Sequence, residues 1–355
     1  MKSPGVAPLK SAVIGAGKIS EEHLRFLRES AGQTEMCRPV GVCDLSPAMA
    51  RFAGSRFHCP AFTDHGEMLA QARPDVVHIL TPPESHAKLI ADCLAAGAHV
   101  ICEKPLAVDH AEFTRLWELS QQCGRRLIED HNCRFNEPVL AIERWVKAGR
   151  LGEVREVEVR LSLAIDSPNG RYADENLPHS SHALPGGVIH EFLPHLCYLA
   201  LRFCPGMEQV CARWRKMGSH PLFKYDDLDA TITGPKTTAR LRFTSRAKPD
   251  GFSLIVRGTR GWAETDIYFP FLRLNIVRPG GPFAPLVNQW SNGCALISSA
   301  VTGLKNKIMN KTPLEGMQTF LHRTYTALRT GAEPPVSFAD MDQTARLIDE
   351  LVKQA

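Results

Sequence analysis

The sequence predicts an α/β protein: a doubly wound parallel sheet, followed by a second, α+β domain with a largely antiparallel open sheet. Three observations carry that expectation. A short apolar run over residues 9–20, L-K-S-A-V-I-G-A-G-K-I-S, ends in a glycine turn that opens a helix. Strand-like and helical runs then alternate up to residue 130, and period-2 strands joined by short turns dominate after residue 153. A chain of 355 residues suits two domains better than one small core. We place them at 1–130, for a dinucleotide, and 131–355, for substrate and oligomerisation, with the final helix returning to the first domain.

Each element has its own signal. Val13 and Ile14 lead into the turn, and Leu24, Phe26 and Leu27 recur at helical spacing in a helix beginning near Lys18. The run P-V-G-V-C forms the second strand and stops at Asp44. Residues 75–80 read as a buried strand, 85–96 as an amphipathic helix closed by Gly97, and 98–102 as the next strand. A helix over 112–123 ends at Gly124, and 126–130 forms another strand. The character changes near Asn132. A helix over 137–148 precedes residues 153–163, which alternate with one wet face. Similar runs follow at 209–216, 229–233, 238–243 and 252–257, with a G-T-R-G turn at 258–261. Amphipathic helices over 314–330 and 340–353 close the chain.

The glycine turn has a specific chemistry. Gly15 permits the tight turn, and Gly17 lets the backbone approach a pyrophosphate that sits against the unpaired N–H groups of the following helix. Ser20 holds the third small position, where Gly or Ala is usual. Asp44, at the tip of the second strand, accepts hydrogen bonds from the adenosine ribose hydroxyls. An acidic residue before Ser46 and Pro47 is also a turn former.

Composition excludes other classes. Apolar residues make up 44% and charged ones 23%, as in an ordinary globular protein. The net charge of +4 comes without a basic tract interleaved with aromatics, so nucleic acid is not an expected partner. The absence of an apolar stretch of spanning length, or of a signal-peptide core, sets the expectation of no membrane and a cytoplasmic protein. Eleven cysteines, with no C-x-x-C pair and with Cys43, Cys93 and Cys102 inside apolar runs, read as reduced, buried thiols.

Lys104 is the next candidate, because the strand at 98–102 runs straight into Glu103, Lys104 and Pro105, at the edge where parallel sheets bind ligands. Pro105 keeps Lys104 out of the helical region. The glycine turn, T-P-P-E-S-H (81–86), C-E-K-P (102–105), H-N-C-R-F-N-E-P (131–138), G-R-L-G-E-V (149–154) and P-G-G-V-I-H-E-F-L-P-H (185–195) occur in that order. This ordered set resembles the Gfo/Idh/MocA family, the glucose–fructose oxidoreductase and inositol dehydrogenase group. The resemblance implies an N-terminal Rossmann domain and a larger substrate domain whose open sheet often forms the subunit interface, hence a homodimer or homotetramer. It implies NAD as cofactor, with NADP as the alternative, held by Gly15, Gly17, Lys18, Ile19, Asp44, Thr81, Pro82, His86, Glu103 and Lys104. It also implies Lys104 and His195 as the catalytic pair, Glu191 where most members carry Asp, and a substrate set of Asn132, Arg134, Glu191 and His195.

Chemistry supports these types. Moving hydride from a carbinol carbon requires a group of near-neutral pKa to take the hydroxyl proton; histidine starts there, and lysine is brought down by burial or a nearby cation. Glu191 and His195 stand at i and i+4, so in a helix they share a face, unless Pro194 breaks the turn and leaves His195 a core residue. The stretch H-E-F-L-P-H does not read as zinc-binding, since its second histidine is one place late, and no metal is expected. The expected activity is NAD(P)-dependent oxidation of a secondary hydroxyl, or reduction of its ketone, in a sugar, nucleotide-sugar or cyclitol. The alternatives are a redox-neutral glycosidase or lyase of the same family and a non-catalytic cofactor sensor.

Overall fold

Consecutive apolar residues make strands that only a sheet covered on both faces can hold, and the first third of the chain does this repeatedly. In the computed structural model, which describes residues 7–168, 170–277, 283–308 and 315–355, these runs are β1 (Leu9–Ile14), β2 (Cys37–Cys43), β3 (Ala61–Phe62), β4 (Val76–Ile79), β5 (His99–Cys102) and β6 (Leu127–Glu129). They pair in parallel in the order β3-β2-β1-β4-β5-β6. The crossovers are α1 (Ser20–Gln33), α2 (Pro47–Phe57), α3 (His65–Ala72), α4 (His86–Ala95) and α5 (His110–Gln122). Ser46, Asp64 and Asp109 cap α2, α3 and α5, each side chain accepting a backbone N–H of the first turn. Strand order reverses between β1 and β4, which opens a crevice at the carboxyl ends of the strands. The helix expected near Lys18 begins at Ser20, because residues 17–20 first form a turn in which Ser20 N donates to Gly17 O at 3.0 Å.

The second sheet contains β7 (Val154–Ser162), β8 (Gln209–Arg215), β9 (Asp227–Thr233), β10 (Thr238–Thr244), β11 (Gly251–Gly258), β12 (Gly261–Asp266) and β13 (Arg273–Ile276). Its order is β13-β12-β11-β7-β10-β9-β8, antiparallel except for the parallel pair β7 and β10. Alternation decides its faces. Val157, Val159, Leu161, Leu241 and Phe243 are fully buried in one core with Val188, Leu193 and Leu196 of α7 (Val188–Leu201) and Ile142 of α6 (Glu137–Lys147). Charged pairs accompany the intervening positions, such as Arg240 with Asp229 at 2.7 Å and Arg257 with Glu156 at 2.9 Å. Asp227 is buried; burial opposes its charge, but Arg242 and Arg215 outweigh this and hold its carboxyl below the usual range.

Three helices end the chain: α8 (Ala284–Ile308), α9 (Glu315–Thr330) and α10 (Phe338–Val352). Leu314, expected to begin the penultimate helix, lies outside the described residues. Strands β12 and β13 and helix α8 are additions to the sequence-based expectation. The chain divides into two units, Met1–His131 with Met317–Ala345, and Asn132–Gly316 with Arg346–Ala355. Residues 131–355 therefore do not form one block, and His131 falls in the first unit rather than the second. Tyr325 of α9 is wholly buried in the first unit, donating to Ser11 Oγ of β1 at 2.7 Å, and Met341 Sδ accepts from Glu129 N of β6 at 3.3 Å. Among the described residues, no helix is long and apolar enough to cross a membrane.

Candidate functional site

In the first unit the predicted cofactor residues gather at the carboxyl ends of β1, β2, β4 and β5. Gly15 has φ +99°, and a Cβ there would lie 2.8 Å from Leu80 O, so only glycine fits. A Cβ on Gly17 meets nothing within 4 Å, as expected where a backbone leaves room for a ligand. Ser20 Oγ donates to Gly17 O at 2.6 Å, which ties the third small residue to the loop it closes. Lys18 and Ile19 complete that turn, and Lys18 is exposed. Asp44 Oδ2 accepts from Ala16 N at 2.8 Å, and its Oδ1 accepts from Ser46 N at 2.8 Å. Asp44 is therefore the turn former that the sequence suggests. It shapes the turn before α2, and each carboxylate oxygen has a second lone pair for a ribose hydroxyl. This loop, with a helix N-terminus behind it and a carboxylate beside it, fits a dinucleotide.

Thr81 and Pro82 follow β4, and Glu103 and Lys104 follow β5. His86, the first residue of α4, joins the two loops: its Nε2 lies 2.8 Å from Thr81 O and its Nδ1 2.9 Å from Pro105 O. Burial lowers the pKa of this ring, and the two carbonyls only partly oppose that. Lys104 is half-buried, with its N–H donating to Glu103 Oε2 at 3.1 Å. Glu129 of β6 braces the segment, its Oε1 accepting from Leu106 N at 2.9 Å and its Oε2 lying 2.9 Å from His131 Nε2.

Behind this edge runs a buried polar chain absent from the sequence reading. Tyr325 donates to Ser11, so its oxygen accepts from His78 Nε2 at 2.8 Å, and His78 Nδ1 lies 2.7 Å from His23 Nδ1. Burial depresses the pKa of His78 and takes His23 down to about 3, which keeps both rings neutral. His23 Nε2 then points between Asp130 Oδ2, at 3.7 Å, and Glu103 Oε1, at 4.0 Å.

In the second unit, α7 runs unbroken through Pro194, so Glu191 and His195 do share a helical face. His195 is half-buried rather than a core residue. Its Nδ1 lies 2.7 Å from Tyr198 Oη, one turn on, and 3.7 Å from Cys133 Sγ. Tyr198 Oη accepts from Cys133 N at 3.1 Å and donates to Asn132 Oδ1 at 3.4 Å. With that proton committed, Nδ1–H of His195 donates to Tyr198, and Nε2 keeps the lone pair a base needs. Asn132 and Arg134 are buried in the short 3₁₀ turn Asn132–Phe135, with the Arg134 guanidinium over the Phe135 ring.

Glu191 sits in a cluster of its own. It accepts from Arg171 Nη2 at 2.7 Å and from Tyr172 Oη at 3.1 Å, with His179 Nδ1 at 3.7 Å. Burial, then the neighbouring Glu191 carboxylate, pushes the Tyr172 phenol up. Sequence reasoning missed Arg171, Tyr172 and Tyr198. Only Tyr198 had a readable signal, its i+3 spacing from His195.

Comparison with known proteins follows the same division. Residues 9–131 match an oxidoreductase family with an NAD-binding Rossmann fold, and residues 139–264 match the GFO/IDH/MocA C-terminal domain. An inositol 2-dehydrogenase of Salmonella typhimurium is 29% identical over 148 residues, 41% of this chain and 43% of that protein. One from Pseudomonas fluorescens is 35% identical over 150 residues, again 41% and 43%. The chain thus matches less than half the length of these relatives. A levoglucosan dehydrogenase solved with NADH and levoglucosan superposes with a TM-score of 0.79 at 18% identity, covering 98% of this chain and 97% of that one.

Proposed function

The chain belongs to the Gfo/Idh/MocA family of NAD-binding oxidoreductases, and from that premise we propose that it is a dehydrogenase acting on a secondary hydroxyl, or its ketone, of a sugar, nucleotide-sugar or cyclitol. One observation carries the reading: a single sheet edge gathers the Gly15–Gly17 loop, the Asp44 carboxylate and Lys104. The inositol 2-dehydrogenase relatives support the substrate class.

Bound NAD supplies the hydride acceptor or donor. The glycine loop receives the pyrophosphate, and Asp44 takes the ribose hydroxyls and disfavours a 2′-phosphate, so NAD is preferred over NADP. Lys104 polarises the reacting hydroxyl. His195 takes its proton at Nε2, and the resulting imidazolium is stabilised by the Nδ1–H bond to Tyr198. Asn132, Arg134 and Glu191 bind the substrate, with Arg171 and Tyr172 orienting the Glu191 carboxylate. Eleven cysteines without a disulfide support a cytoplasmic setting.

The test is a panel of sugars, nucleotide-sugars and cyclitols mixed with protein and NAD while NADH absorbance is followed. Net NADH formation with one class supports the proposal. Substrate turnover without NADH accumulation overturns it in favour of redox-neutral chemistry.

A further inference from the structure

Helix α8 is amphipathic in the reverse sense. Its two buried residues among those described are Asn288 and Asn292, one turn apart. Asn288 Nδ2 donates to Ile276 O at 2.9 Å, and Asn292 Oδ1 accepts from Leu274 N at 2.9 Å. These are backbone groups of β13, an edge strand of the second sheet. Polar side chains thus fasten the helix to the sheet edge, and its apolar side is left in water.

That apolar side has a definite period. From Val287 to Ile308 one line of apolar residues advances by three, four, three, four, three and four, through Trp290, Cys294, Ile297, Val301 and Leu304, with Leu296 to one side of it. Trp290 is 78% exposed, Ile297 69% and Ile308 74%. A 3.5-residue repeat held over three heptads is the seam of a coiled coil rather than the broader stripe of a helix lying on a core or a bilayer. We propose that α8 pairs with α8 of a second copy of this chain, forming a two-helix seam.

Composition selects that occupant. Val287, Val301 and Ile308 put β-branched side chains at the first seam position, as two-stranded pairing favours, and Trp290, Ile297 and Leu304 occupy the other. Gly293 and Ala300 flank the seam and allow close approach. The helix carries Lys305 and Lys307 at one end and no acidic residue. It lacks the strongly cationic polar face of an interfacial membrane helix. Area is of the same order. Counting about 150–250 Å² for each fully exposed aromatic and about 60–120 Å² for each aliphatic side chain, the seam with Phe283 and Leu286 beside it offers roughly 600 Å² per copy, against about 800 Å² per partner in a standard interface.

Sedimentation or light scattering of the whole protein tests this with Ile297→Lys and Ile297→Glu, each alone and then mixed. Position 297 lies near the middle of the seam, so it faces the partner's centre whichever way the helices run. Each variant alone should show half the wild-type mass while binding NAD normally, and the mixture should regain the wild-type mass. Equal masses for wild type and both variants overturn the proposal, as does a mixture that stays at half mass. Flotation of the wild type on mixed phosphatidylcholine and phosphatidylglycerol vesicles, lost in Ile297→Lys without any change of mass, overturns it in favour of a lipid surface.

Discussion

Gly15 and Gly17 stand two residues apart and do different work, which two substitutions should separate. At Gly15 a methyl group meets the Leu80 carbonyl and φ is positive, so Gly15→Ala should lower stability by about 1–3 kcal/mol, read from a denaturant midpoint. At Gly17 a Cβ meets nothing within 4 Å, so the melting point of Gly17→Val should stay near wild type while NAD binding is lost. Unchanged NAD affinity in a folded Gly17→Val protein would show that the loop is only structural. For the proton, Lys104→Ala and His195→Ala should each lower kcat by about 10²-fold or more with NAD affinity little changed. Tyr198→Phe is the sharper probe of His195. Removing the acceptor of Nδ1–H destabilises the imidazolium, so the histidine limb of the kcat/KM profile should move to lower pH. An unmoved limb would mean that Tyr198 does not hold the ring. At this scale the sequence is readable where a residue type stands at the end of an element, as at Gly17, Asp44 and Lys104, which the fold brings to one sheet edge. It was silent on Tyr325 and His78, whose partners lie far along the chain.

Element α7 shows how a local rule yields to context. Pro194 forgoes one helical hydrogen bond, yet the helix continues because Val188, Leu193 and Leu196 fill the core under the second sheet. The same burial encloses His190, 1% exposed, and drives its pKa from 6.5 to about 4. As pH falls through 6.5 the unfolded ring takes a proton that the folded ring refuses until about pH 4, so stability falls with pH across that window. Between pH 7 and pH 5 this ring alone should remove about 2 kcal/mol. His190→Leu should show a smaller difference between urea midpoints at pH 7 and pH 5, and an identical difference would contradict the assignment. Helix α8 escaped notice for the opposite reason. A periodicity search assumes that the apolar stripe of a helix faces its own core, whereas α8 turns Asn288 and Asn292 inward. Strand β13 was missed because it is an edge strand of four half-buried residues with no strict alternation.

For the whole molecule, alternating strands and helices followed by period-2 strands were enough to predict a parallel sheet and an antiparallel one, since each pattern determines which faces must be covered. The chain path was less legible. Met317–Ala345 joins the first unit through Tyr325 and Met341; the return was expected of the final helix alone, since amphipathic spacing says of α9 only that it buries a face. That placement makes the first unit discontinuous, and ligand binding should report on it as a folded entity. A ligand bound to the native state alone stabilises it by about 2.7 kcal/mol at a hundred times its dissociation constant. At roughly 2–4 °C per kcal/mol for a domain of this size, saturating NAD should raise the melting temperature by about 5–10 °C. NADP at the same concentration should raise it less, because its 2′-phosphate would meet the Asp44 carboxylate. Asp44→Ala removes that repulsion together with the brace on Ala16 N–H, so the NAD shift should shrink and the gap between the two cofactors should narrow. An NADP shift equal to or larger than the NAD shift in the wild type would contradict the role given to Asp44 while leaving the glycine loop, and the Gly17→Val test, intact.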